Sequence, residues 1–157
     1  RVIDQSLDIM HWALGQNDPQ DWSTRNTPFD EEALVLVSQC DEEFKRNLDR
    51  YKYPNRYDLP SGLEHREAGA VYLMQLNVRL THAPYLMGSS FTWVDAAIAP
   101  FVRQFARTDR DWFDAQNWPA LKIWLENFEN SEAYSTVMHK YKVWHQDAKP
   151  VAFPATS

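Results

Sequence analysis

The chain has 157 residues, 44% hydrophobic and 24% charged, enough apolar material for one substantial core and ordinary for a soluble globular domain. A formal charge of −6 with no run of Lys and Arg gives nucleic acid no electrostatic footing, and no stretch approaches the roughly 20 apolar residues of a membrane helix. The single cysteine, Cys40, excludes an internal disulfide, and no secretory leader is visible, so the expected compartment is the cytoplasm.

Only four glycines argue against an all-β fold, and the expected class is all-α. Val2 and Ile3 suggest the stub of a strand. Ile3, Leu7, Met10 and Leu14 then recur at helical spacing, predicting a helix over residues 5–15. Residues 17–28 are polar and broken by Pro19 and Pro28, the pattern of a linker. Asp30, Glu31 and Glu32 suit the positive end of a helix dipole and open a long helix to about residue 53. Ala33, Val37, Cys40, Phe44, Leu48 and Tyr51 form its apolar stripe. Pro54 disfavours helical backbone in the residue before it and should end that helix.

A second long helix is expected over residues 63–81, with Ala70, Leu73, Met74 and Leu80 facing inward. After a turn-rich connection, Thr92-Trp93-Val94-Asp95 has the spacing of a capping box, with Asp in the place more often held by Glu or Gln. Residues 94–105 are apolar on nearly every face, as in a central buried helix, and Pro100 removes one internal hydrogen bond. Asp109-Arg110-Asp111 looks like a charged break. Pro119, Leu121, Trp124, Leu125 and Phe128 predict an amphipathic helix. Ser131 should cap one more, carrying Tyr134, Val137, Met138 and Tyr141, and beyond Trp144 the tail with Pro150 and Pro154 should lie extended.

The order of these features resembles the soluble, cytosolic glutathione S-transferase family, bacterial type. The segment Gly88-Ser89-Ser90-Phe91-Thr92-Trp93-Val94-Asp95-Ala96-Ala97-Ile98-Ala99-Pro100 is similar to that family's glycine turn leading into a capped, buried helix. Phe91 fits the outer half of a hydrophobic staple, whose inner partner Ala96 is small. Val2 to Met10, with Gln5-Ser6, resembles the last strand and helix of the family's thioredoxin-like domain. Asn117-Trp118-Pro119-Ala120-Leu121, with Trp124, Leu125 and Ser131, resembles its penultimate helix and the start of the last.

The resemblance implies a glutathione-transferase C-terminal helical bundle over residues 29–157, a linker over 17–28, and a remnant of the glutathione-binding domain over 1–16. It implies that the catalytic Tyr, Ser or Cys lies upstream of Arg1, that the chain is a truncated and by itself inactive portion, and that the intact protein is a homodimer through its two long helices. Glutathione is then a co-substrate, with no cofactor or metal, and Gln5 and Ser6 hold its γ-glutamyl end. The physical basis at Ser6 is independent of the family: free N–H groups and the dipole at a helix start favour an anion. A simpler reading is that Ser6 or Asp4 caps the helix.

The partner of glutathione would be a small apolar electrophile or a disulfide. The alternatives are a non-catalytic scaffold or dimerisation module and a glutaredoxin-like reductase. Cys40 sits in the apolar stripe among acidic neighbours, which favours a structural thiol over a nucleophile. Asp95 is a capping residue on this reading. His11, His65, His82, His139 and His145 lack metal-ligand spacing. Tyr51, Tyr53, Tyr57, Trp112 and Phe113 could line a substrate cleft or be core.

Overall fold

The structure, a computed structural model, describes residues 2–23 and 31–150. The expectations for Arg1, for the second half of the linker with Pro28, for Asp30 and for the tail beyond Pro150 lie outside the described residues.

Helix α1 (Ser6–Gln16) packs Leu7, Met10 and Leu14 against the core. No strand forms among the described residues, and Val2 and Ile3 have no neighbouring backbone among them to receive strand hydrogen bonds. The long acidic-headed helix is continuous but not uniform. It runs as α2 (Glu31–Gln39), one π-helical turn (Cys40–Phe44) and α3 (Lys45–Lys52), and Pro54 starts a short 3₁₀ turn (Pro54–Tyr57). All six residues of its predicted stripe are buried.

Helix α4 (Leu63–Leu80) packs on α3 and α7. Its buried face is Gly69, Tyr72, Leu73, Leu76 and Leu80, so Leu73 and Leu80 lie as expected. Met74 does not: it is 53% exposed. The spacing 69–72–73–76–80 fixes the inward direction, and Met74 falls beside Val71 and Val78 on the outer face. Gly69 has a spatial reason. A Cβ there would stand 2.6 Å from Cε2 of Phe105, so α4 and the central helix approach more closely than any side chain permits.

That central helix, α5 (Trp93–Ala106), buries Val94, Ile98, Ala99, Val102, Phe105 and Ala106, with Pro100 in its interior. The capping box forms. The Thr92 N–H and hydroxyl both donate to Asp95 Oδ2 at 3.0 Å, and Asp95 Oδ1 accepts from the Leu86 N–H at 2.9 Å and from Trp124 Nε1 at 2.8 Å. One fully buried carboxylate thereby ties the start of α5 to the preceding loop and to α7, with four donors meeting the cost of its burial. Phe91 packs on Trp22 and Tyr85, with ring centroids 4.9 and 5.9 Å away.

Asp109 does more than break the chain. Its Oδ1 accepts from the Trp112 N–H at 3.1 Å and caps a six-residue helix, α6 (Arg110–Ala115), which the sequence reading did not include. Helix α7 (Pro119–Glu129) buries Leu121, Trp124 and Leu125. Ser131 accepts from the Tyr134 N–H and caps α8 (Glu132–Val137), as expected. This helix is shorter than predicted, and Val137, Met138 and Tyr141 are exposed rather than packed, because no described element lies over them. Residues 141–150 are mostly exposed and form neither helix nor strand, with one turn in which the Ala148 N–H donates to the His145 carbonyl at 2.8 Å.

Candidate functional site

A cavity of about 500 Å³ lies between α1, the α2–π segment and α5. Its walls include Leu7 and Met10 of α1, Leu34 and Val37 of α2, and Pro100 and Phe101 of α5. The sequence supplied the signal for the α5 wall: a helix apolar on nearly every face has apolar surface left over once the core is filled. Leu34 escaped notice because it stands off the stripe that packs on α4.

Polar groups also contribute, from α1 and from the α2–π segment. Ser6, Ser38, Asp41 and Glu42 line the cavity. The Ser38 hydroxyl donates to Glu42 Oε1 at 3.0 Å, and Lys45 Nζ donates to Asp41 Oδ1 at 3.1 Å while lying 5.1 Å from the Phe101 ring centre. The cavity is thus an apolar slot with two hydroxyls and two carboxylates at its edge.

Ser6 is the first residue of α1 and opens onto this slot. The N-cap residue is Gln5, in extended conformation, and its side chain makes no cap hydrogen bond. Neither Ser6 nor Asp4 caps the helix, so the simpler reading of that pair does not hold. The helix start is exposed, so its first-turn N–H groups are open to water or to a ligand's acceptor.

Cys40 also touches the slot but is 1% exposed. Burial pushes its thiol up to about 12, opposed in part by Tyr72 and aided by the charge of Asp41. A thiol so far from ionising is no nucleophile at neutral pH, in keeping with a structural role.

The aromatic candidates fall into two groups. Tyr51 and Phe113 are core residues. Guanidinium groups cover three others: Arg66 lies 4.4 Å from the Trp112 ring centre, Arg50 4.5 Å from that of Tyr57 and Arg56 4.1 Å from that of Tyr53. None of the five lines the slot. His65 Nδ1 meets Asn47 Oδ1 at 2.8 Å, and the His11 ring meets Trp93 edge-on at 4.9 Å. Among the described residues, no three His, Cys, Asp or Glu side chains come together as a metal site. No helix among them is long and apolar enough to cross a membrane.

Residues 65–127 match the family model of the glutathione S-transferase C-terminal domain. The fold is similar to that of a crystal structure of a glutathione S-transferase from Actinobacillus pleuropneumoniae, with a TM-score of 0.63 at 13% identity. That likeness covers 86% of this chain but 62% of the other, so the chain spans less than two thirds of that protein's length. No protein of curated function matches it in sequence. The sequence match runs across most of α4, all of α5 and α6 and most of α7, and the helical bundle has the fold of a glutathione-transferase C-terminal domain.

Proposed function

We propose that this glutathione-transferase C-terminal domain belongs to an enzyme that joins the thiol of glutathione to a small apolar electrophile, or uses it to reduce a mixed disulfide. One observation carries the reading: the uncapped start of α1, with Gln5 and Ser6, opens onto the same apolar slot that α2 and α5 enclose. An anionic group and an apolar group could therefore be held side by side.

In this mechanism the γ-glutamyl carboxylate accepts hydrogen bonds from the Ser6 hydroxyl and the first-turn N–H groups of α1, with the dipole adding to them. Gln5 offers an amide to the same end of the tripeptide. The electrophile lies along Leu34, Pro100 and Phe101, and the thiolate attacks its carbon as the leaving group departs with the bonding pair. A residue of the intact protein upstream of Arg1 keeps the thiol ionised. The slot excludes water and holds the two reactants close, the main contribution these residues can make.

The interface belongs to the same reading. Val71, Met74 and Val78 form an exposed apolar row on α4, and Val71 borders a shallow groove of about 90 Å³ between α4 and the π-helical turn. A homodimer through the two long helices would cover that row.

The test is retention of the intact protein on glutathione-agarose. Binding that is lost in a Gln5→Ala, Ser6→Ala double variant of unchanged melting temperature is the expected result. Flow-through of the unaltered protein would instead favour a non-catalytic scaffold.

A further inference from the structure

A second cavity, about 200 Å³, shares no lining residue with the first and lies where Gln20 and Trp22 meet the junction of α7 and α8. The function proposed above does not use it. Five aromatic residues line it: Trp22, Tyr85, Phe91, Trp124 and Phe128. Glu132 stands among them, and no Lys, Arg or His does.

Trp22 and Phe91 are inclined at 56°, and Tyr85 meets Phe91 edge-on at 85°, the mutual geometry that packed rings prefer. Five aromatic residues around one cavity supply π-systems whose faces attract cations. The frame is held from behind. Trp124 is fixed through its indole N–H to Asp95, and Trp22 through its backbone N–H to Asp18 Oδ1 at 2.8 Å and its carbonyl to the Trp93 N–H at 3.0 Å. Glu132 lies at the exposed edge, and none of the ion pairs among the described residues uses its carboxylate. The C-terminal end of α7 and the start of α8 both border the cavity, so their dipoles oppose each other there and Glu132 is the one formal charge in the lining.

We infer that this aromatic box binds a small organic cation of the quaternary-ammonium class. The volume suits a trimethylammonium head, the walls supply cation–π attraction, and Glu132 supplies the countercharge. A metal cation is not the expected occupant, since one carboxylate and five rings offer too few oxygen donors.

The experiment titrates choline into the full chain and follows the indole N–H resonances of Trp22 and Trp124. A parallel titration uses 3,3-dimethylbutan-1-ol, the uncharged isostere of choline. The expected result is a saturable shift of both resonances, with choline binding at least about fivefold tighter than the alcohol. Glu132→Gln, at an exposed position, should weaken choline about threefold. Phe91→Leu should weaken choline more than the alcohol. The proposal is overturned if choline gives no saturable shift at these two residues, if the alcohol binds equally well, which marks a merely apolar gap, or if both variants leave choline binding unchanged.

Discussion

Asp95 Oδ1 accepts the indole N–H of Trp124 across 2.8 Å, joining the first turn of α5 to the middle of α7, 29 positions later in the chain. The other oxygen of the same carboxylate receives both donors of Thr92. Replacing Asp95 by Ala strands four donors in a site closed to water. The expected loss is about 3–5 kcal/mol, measured by urea unfolding. Trp124→Phe removes one donor and keeps most of the packing, so about 1–3 kcal/mol is expected.

Gly69→Ala sets two effects of opposite sign against each other. Helix propensity alone favours Ala by roughly 1 kcal/mol. The new methyl, however, would meet the Phe105 ring at 2.6 Å, and that ring is itself wedged against Phe44 and Tyr51. Overpacking costs about 1–3 kcal/mol and should win, so the variant melts lower. Adding Phe105→Leu, which frees the space, should recover part of the loss relative to Phe105→Leu alone.

Gly62→Ala tests a harder wall. There the Cβ would stand 2.5 Å from the Tyr51 carbonyl oxygen and 2.8 Å from its Cα, backbone atoms that cannot swing aside. The loop between the 3₁₀ turn and α4 must move, and a loss of at least about 2 kcal/mol in thermal unfolding is expected.

Cys40 gives a pH dependence. Burial favours the neutral thiol, so the folded protein keeps its proton up to about pH 12, whereas the unfolded chain loses it near about pH 8.5. The stabilising contribution is complete below about pH 8 and declines between about pH 9 and 12. Cys40→Ala removes that particular slope, which urea titrations at several pH values would detect. Ellman's reagent at pH 8 should react with the native thiol at least a hundredfold more slowly than with the urea-unfolded one.

Met74 bears on the proposed dimer. Met74→Glu adds a charge to the exposed α4 row without touching the core. If the proposed dimer forms through this row, the variant should raise its dissociation constant at least about tenfold by sedimentation, with the monomer melting unchanged. A dimer of undiminished affinity would place the interface elsewhere.

Much of this fold was legible because it is built from long, strongly periodic helices. The six-residue stripe from Ala33 to Tyr51 and the Thr92–Asp95 box are local patterns whose physics needs no knowledge of the rest of the chain. The phase of α4 was harder. Met74 and Leu73 are both apolar, and the buried spacing from Gly69 to Leu80, set by packing on the neighbouring helices, decides which of them points inward. Helix α6 was hidden because Asp109 reads as a charge until its carboxylate is seen accepting the Trp112 N–H. The candidate site was legible in part: Gln5 and Ser6 stood out by resemblance, but the slot beside Ser6 needs Leu34 and Phe101, brought together from separate helices. The strand expected at Val2 and Ile3 shows the limit of local reading, since a strand exists only where another backbone receives it.

The hydrogen bond from the Trp93 N–H to the Trp22 carbonyl gives the linker a share in the start of α5. The first amide of a buried helix commonly relies on water or a side chain, but here the chain leaving α1 meets that need. The His11 edge also rests on the Trp93 ring, so α1 and the chain leaving it both meet the bundle at the first residue of α5. A change at Trp93 should therefore be felt on α1 as well as in the core.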